Sequence, residues 1–245
     1  MPLKNYNKKL EYSYACGVFP TIELLKAKKD IVTKVILNTK GLKNKGYYEI
    51  ENICLKNNIP LEYDTKAINS MSAKENIYAI CVFKKYESSL NFQDNHIVLV
   101  NPANAGNIGT VIRTMVGFGF KDLALIKPSV DIFDPKVVRS SMGGIFRINF
   151  EYFDSFENYL EKADKNRVFY SFMTNGDTTV DKVKFQKPFT LVFGSESHGL
   201  DTVYKQYGHS VCIPTSKDID SLNLSVAVGI GLYFSSKKLQ ATNIS

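Results

Sequence analysis

The stretch "LVFGSESHGL", Leu191 to Leu200, carries four residues of apolar, strand-like sequence straight into Gly194-Ser195-Glu196-Ser197-His198-Gly199. An acid, an imidazole and hydroxyls set between glycines at the mouth of a buried strand mark a loop built for chemistry or for tight backbone packing. A nucleophile elbow of the form G-x-S-x-G around Ser197 would need glycine at 195, where serine stands, and no Asp-then-His pair follows at a suitable place. A hydrolase reading is therefore set aside. Glycines here allow close approach of backbone to a ligand, and Glu196 then orients a neighbouring group; a helix-capping or salt-bridging carboxylate is the plainer alternative. His198, alone in a loop, reads more readily as a surface group than as a catalyst.

Outward from this stretch, short apolar runs end in glycine or proline: "HIVLVNP", "DLALIKP", "VFYSFM", "FTLVFG" and "SVCIP". Five such strands with helices between them predict a mostly parallel sheet with its ligand at the carboxyl ends of the strands. Upstream, "FPTIELLKAKK" and "YEIENICLKNN" read as helices, and "VTKVILN", "PLEYD" and "IYAICVFKKY" as strands. That alternation implies a separate small α/β sandwich. The polar, turn-rich run 86–95 divides the two, giving an N-terminal domain over 1–88, a linker over 89–95 and a C-terminal domain over 96–245.

Two further loops flank the first. In "NPANAGNIGTVIRTMVGFGF", Asn101 to Phe120, the apolar residues Ile108, Val111, Ile112, Met115 and Val116 make one helical stripe. Asn107 then falls at the helix N-cap and Arg113 lies off the stripe. Its glycines form neither G-x-G-x-x-G nor a P-loop, which disfavours a dinucleotide fold. In "IPTSKDIDSLNLSVAVGIGLYF", Ile213 to Phe234, a strand stops at Pro214 and Ser221 is placed as the cap of a helix. Ser225, Ala227, Gly229 and Gly231 weaken that helix, each glycine by ~1 kcal/mol relative to alanine. Such a cost predicts close packing against the loops or a second subunit.

The balance of 31 Lys+Arg against 24 Asp+Glu gives +7. Residues 1–95 hold 15 lysines and no arginine against 10 acids, so five of the seven surplus charges lie there. A polyanionic partner gripped by the N-terminal domain fits that distribution. Cys16, Cys54, Cys81 and Cys212 form no C-x-x-C pair, so neither a zinc knuckle nor a disulfide framework is indicated. No apolar run approaches the ~18 residues of a membrane span and the start lacks a signal core, giving the expectation of a soluble, cytoplasmic protein.

Taken together, Asn107-Ile108-Gly109 to Arg113, then "FGSESHGL", then "IP…SLNLSVA" closely resemble the three motifs of the SpoU/TrmH RNA ribose methyltransferases of the SPOUT superfamily. "DPKVVRSSMGGIFRI", 134–148, looks like the family's segment between its first two motifs, and the N-terminal half is similar to its small substrate-binding domain of ribosomal-protein-like fold. The resemblance implies an α/β catalytic domain with a trefoil knot and a homodimer joined through it. It implies S-adenosylmethionine held mostly by main chain around Phe193, Gly194, Glu196, Gly199, Ile213, Pro214, Leu222 and Asn223. It implies methyl transfer to a ribose 2′-hydroxyl, without metal or covalent enzyme intermediate, with Arg113 central and Asn107, Glu196, Ser221 and Asn223 positioning it and the ribose. A guanidinium stays protonated in proteins, so Arg113 is expected to stabilise developing alkoxide rather than act as a literal base. The implied substrate is RNA, ribosomal rather than transfer RNA, and the main alternative from another class is a non-catalytic RNA-binding or ribosome-assembly factor. The departures are His198, where a small or basic residue is more familiar, and "TSKDIDS", which lacks the glycine common before SLN.

Overall fold

The structure, a computed structural model, describes residues 3–41, 45–71 and 77–241. In chain order the strands and helices are β1 (Tyr12–Cys16), α1 (Val18–Ala27), β2 (Val32–Leu37), α2 (Lys45–Lys56), β3 (Leu61–Tyr63), α3 (Thr65–Met71), β4 (Ala79–Lys84), β5 (His96–Val100), α4 (Ala105–Gly117), β6 (Asp122–Ile126), α5 (Pro135–Ser140), β7 (Asn149–Phe153), α6 (Phe156–Lys162), β8 (Val168–Phe172), β9 (Thr178–Thr179), β10 (Phe189–Phe193), β11 (His209–Cys212) and α7 (Leu224–Ala241). They form two compact units, one of residues up to Glu87 together with Asp131–Arg147, the other of Ser88–Val130 and the chain from Ile148 onward. No helix among the described residues is long and apolar enough to cross a membrane.

The first unit is a four-stranded sheet in the order β1-β4-β2-β3, antiparallel except between β2 and β3. Strand β1, "YSYAC", was not anticipated from the charged sequence before it; four of its five residues are buried. Tyr14, Leu24, Leu25, Val35, Leu37, Ile50 and Phe83 fill the core. The segment Asp131–Arg147, expected in the C-terminal domain, packs in this unit. Its Ile132, Phe133, Val137, Val138, Ile145 and Phe146 are all buried and need an apolar partner, which Phe83 supplies at ring-centroid distances of 6.0 Å to Phe133 and 5.2 Å to Phe146. The Ser13 hydroxyl donates to the Phe133 carbonyl at 2.5 Å, and Lys85 pairs with Asp131 at 3.0 Å.

The second unit carries a seven-stranded sheet in the order β7-β6-β5-β10-β8-β11-β9, with every pair parallel. All five expected strands are present; β7 and β9 extend the sheet at its two edges. Every residue of β5, β6 and β10 is buried, as unbroken apolar runs require when both faces are covered. Val98, Val100, Ala124, Ile126 and Val192 pack with Phe156 and Tyr159 of α6 on one face. Alternation turns Ile97, Leu99, Leu191 and Phe193 to the other. There Ile108, Val111, Ile112 and Met115 of α4 are fully buried, and α4 and α7 pack together.

The expected linker does not behave as one. Leu90 is buried, the Asn91 N–H donates to Asp122 at 2.7 Å, and Arg167 donates to the carbonyls of Phe92 and Asp94 at 2.6 and 2.7 Å. Residues from Ser88 onward are thereby fixed on the second unit, because their carbonyls satisfy a buried guanidinium.

Candidate active site at the carboxyl ends of the parallel strands

From β5 the chain proceeds outward through β6 to β7, then crosses to the far half of the sheet, so the order reverses between β5 and its neighbour β10. At such a switch point two loops diverge and leave a crevice beyond the strand ends. The loop after β5 is Asn101–Asn104; the loop after β10 is the 194–199 turn.

Glu196 joins them. Its Oε1 accepts from Asn107 Nδ2 at 2.9 Å and from the Asn104 N–H at 3.3 Å, and its Oε2 accepts from the Ala103 N–H at 3.2 Å. Partial burial pushes the carboxyl up, but the bonds from Asn107 and the backbone outweigh it, so Glu196 sits below the ordinary carboxylate range. Asn107 Oδ1 in turn accepts from Asn223 Nδ2 at 3.1 Å, bringing in the third loop. Asn223 Oδ1 accepts from the N–H and the hydroxyl of Ser225 at 2.9 and 2.7 Å, which starts α7.

Two caps differ from the sequence reading. Asn104, not Asn107, caps α4: its Oδ1 accepts from the N–H groups of Gly106 and Asn107 at 2.8 and 3.1 Å. This moves Asn107 into the first turn and frees its amide to bridge Glu196 and Asn223. Likewise Asn223, not Ser221, occupies the capping place before α7, because the helix begins at Leu224. Ser221 remains on the exposed loop.

The glycines of the opening stretch serve the loop's own packing. A Cβ at Gly194 would stand 1.9 Å from the Gly199 carbonyl carbon, so no side chain fits where the turn folds back on itself. Gly199 donates to the Ser195 carbonyl at 2.9 Å and has φ of 66°, the left-handed region where glycine costs least. The bare backbone at Gly194 therefore faces Gly199 and Leu200.

A cavity of about 310 Å³ opens beside this turn, at the ends of β8, β10 and β11. Of the residues expected around a cofactor, Phe193, Gly194, Glu196, Gly199, Ile213 and Leu222 line it, with Ser221; Pro214 and Asn223 do not. The sequence reading missed Phe172, Thr174 and Asn175 after β8, and Asp220, Leu224 and Ala227 around the third loop. The polar "TNG" that stops "VFYSFM" was the available signal for the β8 group. His198 lines the cavity, with Nδ1 2.7 Å from the Ser197 hydroxyl. The small residues of α7 find partners within the chain: a Cβ at Gly231 would lie 3.0 Å from the ring tips of both Phe172 and Phe193, which are stacked at 4.5 Å, and one at Gly229 would meet Thr114 of α4.

Arg113 stands apart from this cluster. It is exposed on α4, off the buried stripe, and makes no hydrogen bond or ion pair among the described residues; nor does it line the cavity. Asn107, Glu196 and Asn223 are thus brought together, while Arg113 is presented outward.

The SpoU rRNA Methylase family matches residues 94–233. An uncharacterized tRNA/rRNA methyltransferase of Synechocystis is 33% identical over 139 residues, 56% of this chain and 51% of that protein. The 23S rRNA (adenosine(1067)-2′-O)-methyltransferase of Streptomyces azureus is 25% identical over 195 residues, 76% of this chain and 72% of that one. The SpoU methyltransferase AviRb of Streptomyces viridochromogenes, in complex with the cofactor AdoMet, superposes with a TM-score of 0.79 at 20% identity, covering 94% of this chain and 92% of that one. At that identity the likeness speaks for the fold. The chain spans about half the length of curated relatives such as the Synechocystis protein.

Proposed function

We propose, from the premise that this chain belongs to the SpoU rRNA Methylase family, that it methylates a ribose 2′-hydroxyl of RNA with S-adenosylmethionine as donor, and that ribosomal RNA is the substrate class. One observation carries this reading: Glu196, Asn107 and Asn223, from three loops far apart in sequence, form one hydrogen-bonded chain beside a cavity at the strand ends.

The residues present fit the donor. The cavity is in the size range of small-molecule sites, and it combines the stacked Phe172–Phe193 pair and Leu222 with polar loop groups, a surface suited to a nucleoside. Phe193, Gly194, Gly199, Ile213 and Leu222 would hold it, with Glu196 as the clamp that fixes the surrounding loops. Bound there, S-adenosylmethionine supplies a methyl group activated by a sulfonium. The protein's task is then alignment of the 2′-oxygen and stabilisation of its developing charge as the proton leaves. The exposed, uncommitted guanidinium of Arg113 is suited to that stabilisation, and to an adjacent phosphate, in its charged form. Asn107, Glu196 and Asn223 act through the loops they join, and Ser221, at the cavity wall, contacts donor or ribose.

Three further features belong to the same reading. The chain after β11 threads a trefoil knot, supported by the close passage of main chain at Gly176, where a Cβ would lie 2.4 Å from the Val211 carbonyl carbon. The protein is a homodimer through this region, supported by the exposed Phe118 just after α4 and Val226 and Tyr233 of α7. The lysine-rich first unit grips RNA, and the free thiols Cys16, Cys54, Cys81 and Cys212 suit a reducing cytoplasm.

Transfer of labelled methyl from S-adenosylmethionine to RNA, with alkali resistance of the modified linkage, tests the reading. Arg113→Ala is expected to abolish transfer while leaving donor affinity nearly intact. Donor and RNA binding without any transfer would instead favour the ribosome-assembly alternative. Absence of donor binding by the wild-type protein would refute the assignment.

A further inference from the structure

The chain is basic overall, +7, yet among the described residues no lysine or arginine lines the cavity. Two carboxylates do, Glu196 and Asp220. Glu196 is committed, with both oxygens occupied by the Asn107 amide and the N–H groups of Ala103 and Asn104. Asp220, on the loop between β11 and α7, makes no hydrogen bond or ion pair among the described residues. The neighbouring acid of the same loop, Asp218, accepts from Ser216 at 3.0 Å and does not line the cavity. Asp220 is therefore an unspent negative charge on a cavity wall that is acidic against the sign of the whole protein. His198, the remaining titratable group of the lining, is held by Ser197.

We propose that Asp220 makes the cavity selective for the cationic form of its ligand: it favours the sulfonium donor over the neutral thioether left after methyl transfer, and so biases the site toward exchange of product for fresh donor. This rests on the proposed function and deepens it. The physical basis is that the two ligands share the adenosine and the amino-acid tail and differ by one methyl and one unit of charge at sulfur. Shape and stacking treat them alike, whereas a nearby carboxylate does not. Because Asp220 is exposed, water screens the attraction, and its effect is modest: about three- to tenfold in relative affinity at low ionic strength.

Isothermal titration calorimetry of the full chain with S-adenosylmethionine and, separately, S-adenosylhomocysteine reads this directly. The wild type is expected to prefer the sulfonium. Asp220→Asn should weaken S-adenosylmethionine about three- to tenfold while moving S-adenosylhomocysteine less than about twofold, and Asp220→Glu should recover most of the preference. Raising salt from about 0.01 to 1 M, which shortens the Debye length from about 30 to 3 Å, should shrink the wild-type preference toward that of Asp220→Asn. Equal affinity of the wild type for both ligands overturns the proposal. So does parallel weakening of both by Asp220→Asn, which would mean that the side chain shapes the loop, or an unchanged ratio. Failure of the wild type to bind either ligand would fall on the methyltransferase reading itself.

Discussion

Glu196→Gln is the substitution that reaches furthest into the site. The carboxylate accepts three bonds, two on Oε1 and one on Oε2, all from donors. A glutamine carbonyl can replace Oε1 and keep the Asn107 and Asn104 contacts, but as neutral bonds of roughly half the strength. Its NH₂ group then faces the Ala103 N–H, donor against donor. The alternative is to turn the glutamine over, which sets its NH₂ against Asn107 Nδ2 and forces the Asn107 amide to flip. That flip removes the acceptor used by Asn223 Nδ2 and loosens the start of α7. The first route loses one bond outright and weakens two; the second loses both the Asn104 and the Asn223 bonds and leaves the Ala103 bond weakened. Charged hydrogen bonds contribute about 1.5–3 kcal/mol each, so allowing for partial solvent access the loss is about 2 kcal/mol. It falls on the loops rather than the core. The expected outcome is a thermal midpoint lowered by a few degrees, calorimetric donor affinity reduced about tenfold, and methyl transfer reduced further because Asn107 and Asn223 are displaced. The pH dependence follows in sign. The carboxyl lies below its ordinary value, so the clamp is complete above the usual carboxylate range and is lost as pH falls through the lowered pKa; the variant lacks that loss. Wild-type donor affinity and transfer rate in Glu196→Gln would refute the clamp.

Gly231→Ala is expected to bring two opposed effects: about 1 kcal/mol of helix propensity gained, and a methyl pressed to 3.0 Å from Phe172 and Phe193, the stacked rings that line the cavity. Near-wild-type melting with donor affinity several-fold weaker is the predicted signature, and unchanged affinity would contradict it. His96 is buried, its Nδ1 2.8 Å from the Tyr159 hydroxyl and its Nε2 2.9 Å from the Asn91 carbonyl; burial and then the charge of Arg167 lower it from 6.5 to about 4. The native state thus holds it neutral, so its contribution is complete above pH 6.5 and is lost as pH falls toward 4, by about 3 kcal/mol at most. Urea unfolding at pH 7 and 4.5 should show a smaller acid loss in His96→Gln than in the wild type. If the first unit grips RNA through lysines, binding should fall steeply with salt in a filter assay; a flat dependence would exclude phosphate contacts as the main grip.

Much of the second unit was legible because its strands are short, wholly apolar and punctuated, as parallel strands covered on both faces must be. Edge strand β7, with its mixed exposure, and the two-residue β9 carry no such signature, and neither does β1 after a charged start. The three loops were recognisable by residue type. Which asparagine caps and which one bridges was not, since Asn104 and Asn107 are both chemically able to cap and differ only in what stands opposite them.

Sequence alone, then, determined the parallel strands, the apolar stripe of α4, and the residues available to the site, since these follow from local periodicity and side-chain chemistry. Tertiary structure decided that Asp131–Arg147 packs with the first unit, that 88–95 is pinned by Arg167, that Gly194 makes room for Gly199, and that Glu196, Asn107 and Asn223 meet while Asp220 finds no partner among the described residues. Each of these depends on which surfaces remain to be buried and which donors remain to be satisfied once the sheet has formed, and residues about 90 to 116 apart in the chain settle those demands only across space.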